Sequence, residues 1–200
     1  MQVNKYPTVV LLLAIILFTI SCGSSTTTKD HPAYHNPAVQ PFTDSIEAEP
    51  GNAAYYFRRA EALANMDLDS LALEDVRTAQ ELDKTNPQYN FTIGYLLLEL
   101  DKPQEAVKVL LQNLEQSPGN VNVRLLLAKA YIAVRNPAAA EEQVTKILAA
   151  APQHIPAQMM EARIKAAQKD TTGAIQMMKN VLAADPRNYE ASFLLADWYK

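Results

Sequence analysis

Apolar residues are distributed along the chain in three distinct ways. Thr8 to Ile20 is an unbroken apolar run of 13 residues. Residues 23–43 are rich in Ser, Thr and Pro and carry no periodicity. From residue 53 onward the apolar positions recur with a period of 34 residues. Small residues hold one register, at Ala60, Gly94, Ala128, Ala162 and Ala196, and a second one twelve places later, at Ala72, Ala106, Ala140 and Ala174. Leu63, Leu97, Tyr131 and Tyr199 follow the first register, and Val76, Leu110, Val144 and Met178 the second. Pro50, Pro118, Pro152 and Pro186 close the units, with Lys84 in the one place where proline is missing. Small residues are needed where two helices cross closely, so each unit is predicted to be a helix–turn–helix hairpin. Pro103 and Pro137, behind Asp101 and Asn136, carry helix-start chemistry, and the closing prolines end the second helix. A hairpin of this kind cannot cover its own apolar face, so neighbours are predicted to stack around a continuous core.

This 34-residue pattern resembles the tetratricopeptide repeat (TPR) family. The resemblance covers four full units, 53–86, 87–120, 121–154 and 155–188, and a partial one at 189–200, in a domain spanning 44–200. It implies an all-α, right-handed superhelical solenoid of helix-turn-helix repeats. It also implies that the first helices line a concave groove for a partner segment. Its fifth place in each unit reads Phe57, Phe91, Leu125, Met159 and Phe193; the ninth holds Tyr95, Lys129 and Arg163 between Glu61 and Asp197; the twelfth includes Leu98 and Ile132. The groove expected is therefore an apolar ladder beside a central basic pair, Lys129 and Arg163, that would meet an acidic group. The Lys/Asn clamp of chaperone-binding members is not matched.

The apolar run is too short to span a bilayer and fits the core of a secretory signal. It ends at Thr19-Ile20-Ser21-Cys22-Gly23, similar to the lipobox of bacterial lipoproteins, although Thr19 departs from the usual branched apolar residue. The resemblance implies a signal peptide over 1–21, lipidation of Cys22, and a flexible tether over 22–43. It places the protein in the bacterial cell envelope, at the outer membrane facing the periplasm. The alternative is a plain signal peptide that contains a cysteine. His31 and His35 have the spacing of a helical metal pair, but Pro32 and Pro37 break any helix there.

Composition narrows the chemistry. Of 200 residues, 48% are hydrophobic and 20% charged, which is a globular composition. Eighteen basic and 22 acidic residues give a net charge of −4, no footprint for nucleic acid. Five scattered glycines exclude a Gly-rich phosphate loop, and one cysteine with three histidines leaves no zinc framework. No cofactor, metal or catalytic constellation is expected, and His154 stands in an inter-unit turn with no nucleophile near it in motif spacing. The expected function is a non-catalytic adaptor that holds other envelope proteins through a peptide or helix segment. The alternatives are a self-associating, homo-oligomeric lipoprotein, using the groove or the apolar last helix (Phe193, Leu194, Leu195, Trp198, Tyr199), and a lipoprotein that captures small molecules or lipids. The unit at 155–188 is expected to be the least stable, with Pro156, four methionines, and a Glu161–Lys165 pair at normally apolar sites.

Overall fold

The computed structural model describes residues 31–199. Ten α-helices follow a short 3-10 turn at Pro32–His35: α1 (Gln40–Ala48), α2 (Ala53–Ala64), α3 (Asp69–Leu82), α4 (Pro87–Glu99), α5 (Pro103–Gln116), α6 (Val121–Ala133), α7 (Pro137–Ala150), α8 (Ile155–Ala167), α9 (Thr171–Ala184) and α10 (Tyr189–Trp198). No strand occurs among the described residues.

Two local devices repeat with the period. Each first helix is started by the residue that closes the previous unit. The side chains of Asn52, Asn86, Asn120 and Asn188 accept a backbone N–H of the helix that follows, and His154 does the same with Nδ1, 3.2 Å from the Ala157 nitrogen. These bonds satisfy donors that a helix start leaves open. The first helices of the four full units are then closed by a left-handed residue: Asp67, Asp101, Arg135 and Lys169, with φ between 54 and 68°. The N–H of the next residue reaches back five places, as in Lys102 to the Leu97 carbonyl at 2.7 Å and Asn136 to the Tyr131 carbonyl at 2.8 Å. This is a Schellman closure built without glycine. It corrects the helix-start role expected of Asp101, which makes the turn, while Lys102 takes the cap position of α5 without a side-chain bond. Asn136 does cap α7, through the Ala139 N–H.

Hairpin partners pack most extensively (α2 with α3, α4 with α5, α6 with α7, α8 with α9), and α4, α6 and α8 also touch in succession. First helices thus form one layer and second helices the other. The small-residue registers lie at the crossings: Ala60, Ala72, Gly94, Ala106, Ala128, Ala140, Ala162 and Ala174 are all buried. At Gly94 the crossing leaves no room for a side chain, since a Cβ there would lie 2.6 Å from Leu110 Cδ2.

The tether expected over 22–43 is corrected in its second half. Tyr34 and Val39 are fully buried, and α1 begins at Gln40, so 32–43 pack onto the first unit. Ala33, Tyr34 and Val39 join the apolar core there, and a polar lock that the apolar pattern does not reveal adds to it. Arg59 donates two hydrogen bonds of 2.7 Å to the Asp75 carboxylate, with both side chains buried. The same guanidinium lies 4.1 Å from the centre of the Tyr34 ring. Burial pushes the Asp75 carboxyl above its ordinary range, against the opposing pull of Arg59. The Glu161–Lys165 pair is corrected as well: Lys165 reaches Asp170, at 3.6 Å, across the turn that starts α9. Cys22 and the run at Thr8–Ile20 lie outside the described residues. Among those described, no helix is long and apolar enough to cross a membrane.

Candidate interaction groove

The inner layer of first helices brings the expected ladder together, though not uniformly. Phe57, Phe91, Leu125, Leu98 and Ile132 are half-buried along it. Phe57 leans on Tyr89 with ring centres 5.2 Å apart, so part of the ladder is core packing. Met159 goes further and is buried, with its sulfur 3.7 Å from the Asn188 amide. Phe193, at the open end, is 73% exposed. Tyr95 is 43% exposed between α2–α3 and α6 in the chain order, beside Glu99 one helical turn on.

Hollows form between successive first helices. One of about 150 Å³ lies between the second and third units, lined by Pro87, Gln88, Phe91, Asn120 and Asn122. Its equivalent between the fourth and fifth units is about 240 Å³ and is lined mainly by Leu125, Met159, Met160, Arg163 and Glu190. The first offers carboxamides around one aromatic edge; the second offers thioethers beside an ion pair. Both are open surface concavities suited to side chains of an extended segment.

The charges differ from the expectation. Lys129 and Arg163 were expected to await an acidic group, but each already holds a carboxylate from an adjoining unit. Lys129 lies 3.3 Å from Glu99, and Arg163 lies 2.9 Å from Glu190. Both pairs are solvent-exposed and correspondingly weak. Tyr95 has its hydroxyl held above the ordinary value, first by the charge of Glu99, then by burial and by Asp69 and Asp67. Asp69 is itself raised, by burial and by the neighbouring Glu99 and Asp67. The carboxylates of 67, 69 and 99 therefore act on one stretch of the inner face. Glu99 lies off the second, fifth, ninth and twelfth places that the resemblance turns into the groove, whereas Glu190 stands at a second place and meets Arg163 only across a unit boundary. The asparagine caps escape the apolar pattern, although Asn52, Asn86, Asn120 and Asn188 share the 34-residue register and that recurrence is a signal for them. Among the described residues no His, Cys, Asp or Glu cluster has metal-ligand geometry.

Two family models match, both described as tetratricopeptide repeat, over residues 97–164 and 159–199. The chain carries tetratricopeptide repeats. The all-α solenoid of helix-turn-helix units that the resemblance implied is the fold it has. No curated protein sequence matches it. Among solved structures, a tetratricopeptide repeat protein from Parabacteroides merdae is similar, with 18% identity and a TM-score of 0.73, over 80% of this chain and 64% of that one. YrrB, described as a TPR protein with an unusual peptide-binding site, has 19% identity and a TM-score of 0.60, over 79% and 81%. PilW, described as a widely conserved type IV pilus biogenesis factor, has 22% identity and a TM-score of 0.64, over 72% and 67%. At these identities the likeness is one of fold.

Proposed function

We propose that this TPR protein is a non-catalytic adaptor, lipid-anchored at Cys22 in the bacterial envelope on the periplasmic face of the outer membrane, that grips a peptide or helix segment of another envelope protein in its inner groove. The observation that carries the reading is the pair of hollows at equivalent places between successive first helices, each bordered by a fifth-place side chain, Phe91 or Met159. A fold neighbour with a peptide-binding site and another in pilus biogenesis support it. So does Cys22 in its lipobox-like context, since several acyl chains on one residue give stable anchoring.

The test is photocrosslinking in native cells with a probe amino acid at Tyr95 or Phe91, and a control probe at Glu142 on the exposed face of α7. Capture of one discrete protein from the groove positions alone is the expected result. Equal capture from Glu142 would defeat the groove reading. Palmitate labelling that survives a Cys22→Ser change would defeat the anchor separately.

A second reading, self-association, is favoured by α10, whose Tyr189 and Phe193 are 83% and 73% exposed. Concentration-dependent sedimentation that a Phe193→Ser change abolishes would select it.

A further inference from the structure

The inner layer is electrically divided along its length. Across the first helices and turns of the first two units, 53–69 and 87–103, there are three cations and five anions, and one of those cations, Arg59, is committed to buried Asp75. Across the same stretches of the third and fourth units, 121–137 and 155–171, there are six cations and two anions, with Lys129, Arg163 and Lys165 in exposed, weak pairs with Glu99, Glu190 and Asp170. The left-handed turn residues follow the division, with Asp67 and Asp101 in the first half, Arg135 and Lys169 in the second. The contact between Lys129 and Glu99 falls on the boundary, where the third unit's first helix meets the second unit's.

We infer that the segment held in the groove is itself divided, with basic residues lying over the first two units, acidic residues over the third and fourth, and an apolar side chain between them in the hollow beside Phe91. This rests on the groove reading above and adds the chemistry of the occupant. A uniformly acidic segment would gain Lys129, Arg163, Arg135 and Lys169 at one end but meet Asp67, Asp69 and Glu99 at the other. A uniformly basic one meets the reverse. Only a divided segment is attracted along its whole length. The apolar places Phe91, Leu125 and Met159 run across the middle and are indifferent to direction, so charge sets which way the segment lies. Neighbouring first helices are about 10 Å apart, so four of them are spanned by roughly ten residues of extended chain.

The experiment uses the full chain in detergent and two synthetic peptides of about fourteen residues with one composition. In the first, three lysines precede an apolar middle and three glutamates follow it; in the second, the lysines and glutamates alternate. Net charge is equal, so only the pattern is tested. Fluorescence anisotropy at low ionic strength should show the divided peptide binding about tenfold tighter, with the advantage shrinking as salt is raised. A benzophenone at its lysine end should crosslink near Tyr95, and one at its glutamate end near Arg163. The double change Asp67→Asn and Asp69→Asn, in the exposed turn and at the half-buried start of α3, should remove most of the preference. Equal binding of the two peptides within the groove, or crosslinks in the opposite order, overturns the inference and leaves the groove reading standing. Crosslinks around Glu142, or no binding of either peptide, overturn both.

Discussion

Where the hairpins of the first two units are filled by Leu63, Val76, Ile93, Leu96, Leu97 and Leu110, the hairpin of the fourth is filled by Met159, Ala162, Ala174, Met178 and Val181. The first set belongs to one continuous cluster running from Ala33 to Ala130, and the second to a separate cluster that includes Ala191 of α10. A polar clasp, Arg59–Asp75 with Tyr34, fastens the first unit to the segment before it. The fourth unit has an exposed pair at its turn, Lys165–Asp170, and a neighbour, α10, that leaves Tyr189 and Phe193 bare. In a solenoid each unit is stabilised through its neighbours, so the same hairpin geometry is held firmly at one end and loosely at the other.

The sharpest way to break this contrast is at the clasp. Arg59→Ala leaves a buried carboxylate without its partner and should cost about 3–5 kcal/mol in chemical denaturation, whereas Arg59→Met with Asp75→Leu should come close to the parent. Equal losses for the single and double changes would show that the clasp itself, and not the stranded Asp75 carboxylate, carries the loss.

Next come the two glycines that share little but their size. Gly94→Ala drives a methyl group into the fully buried Leu110 and should cost about 1–3 kcal/mol. Gly173→Ala meets only the movable Asp170 carboxylate that caps α9, and the gain of alanine over glycine within a helix offsets a weakened cap, so the net change should stay within about 1 kcal/mol of zero. Hydrogen exchange of the unsubstituted chain gives the same contrast without mutation. Amides of 155–188 should exchange faster than those of 87–120, and equal protection would refute the gradient.

Lys169→Gly works in the other direction. It relieves a left-handed lysine at φ 68° and should stabilise the fourth unit by roughly 0.5–1 kcal/mol, narrowing the gap. The smallest effect concerns pH. Asp83 is held below its ordinary value of 3.8, first by the Thr85 hydroxyl and then by the Thr85 N–H. Its contribution is therefore present above that value and is lost as pH falls through the depressed one. Carboxyl titration followed by NMR should show this, with Thr85→Ala returning Asp83 towards 3.8.

The helices and their crossings were legible because a small residue at a close contact leaves its mark on every unit, as Ala60, Gly94, Ala128 and Ala162 do. The left-handed turns were not, because Asp67, Asp101, Arg135 and Lys169 share a conformation and no chemistry. Tyr34 and Val39 fall in a segment whose lack of periodicity marks it as tether, and Tyr34 is covered by Arg59, which lies 25 residues along the chain. The groove was legible as a ladder of side chains, since the register alone positions it. Its charges were not, since Glu99 and Glu190 meet Lys129 and Arg163 only across unit boundaries.

One consequence follows from the caps that close each unit. Asn52, Asn86, Asn120, His154 and Asn188 belong by count to the unit before the helix they start. A unit copied into another protein in the frame 87–120 would arrive with the next helix's cap and without its own. Shifted back by one residue, to 86–119, the same length of chain carries its own beginning. The segment that can be duplicated, transplanted or inherited intact is therefore offset by one residue from the segment that the repeating pattern marks out.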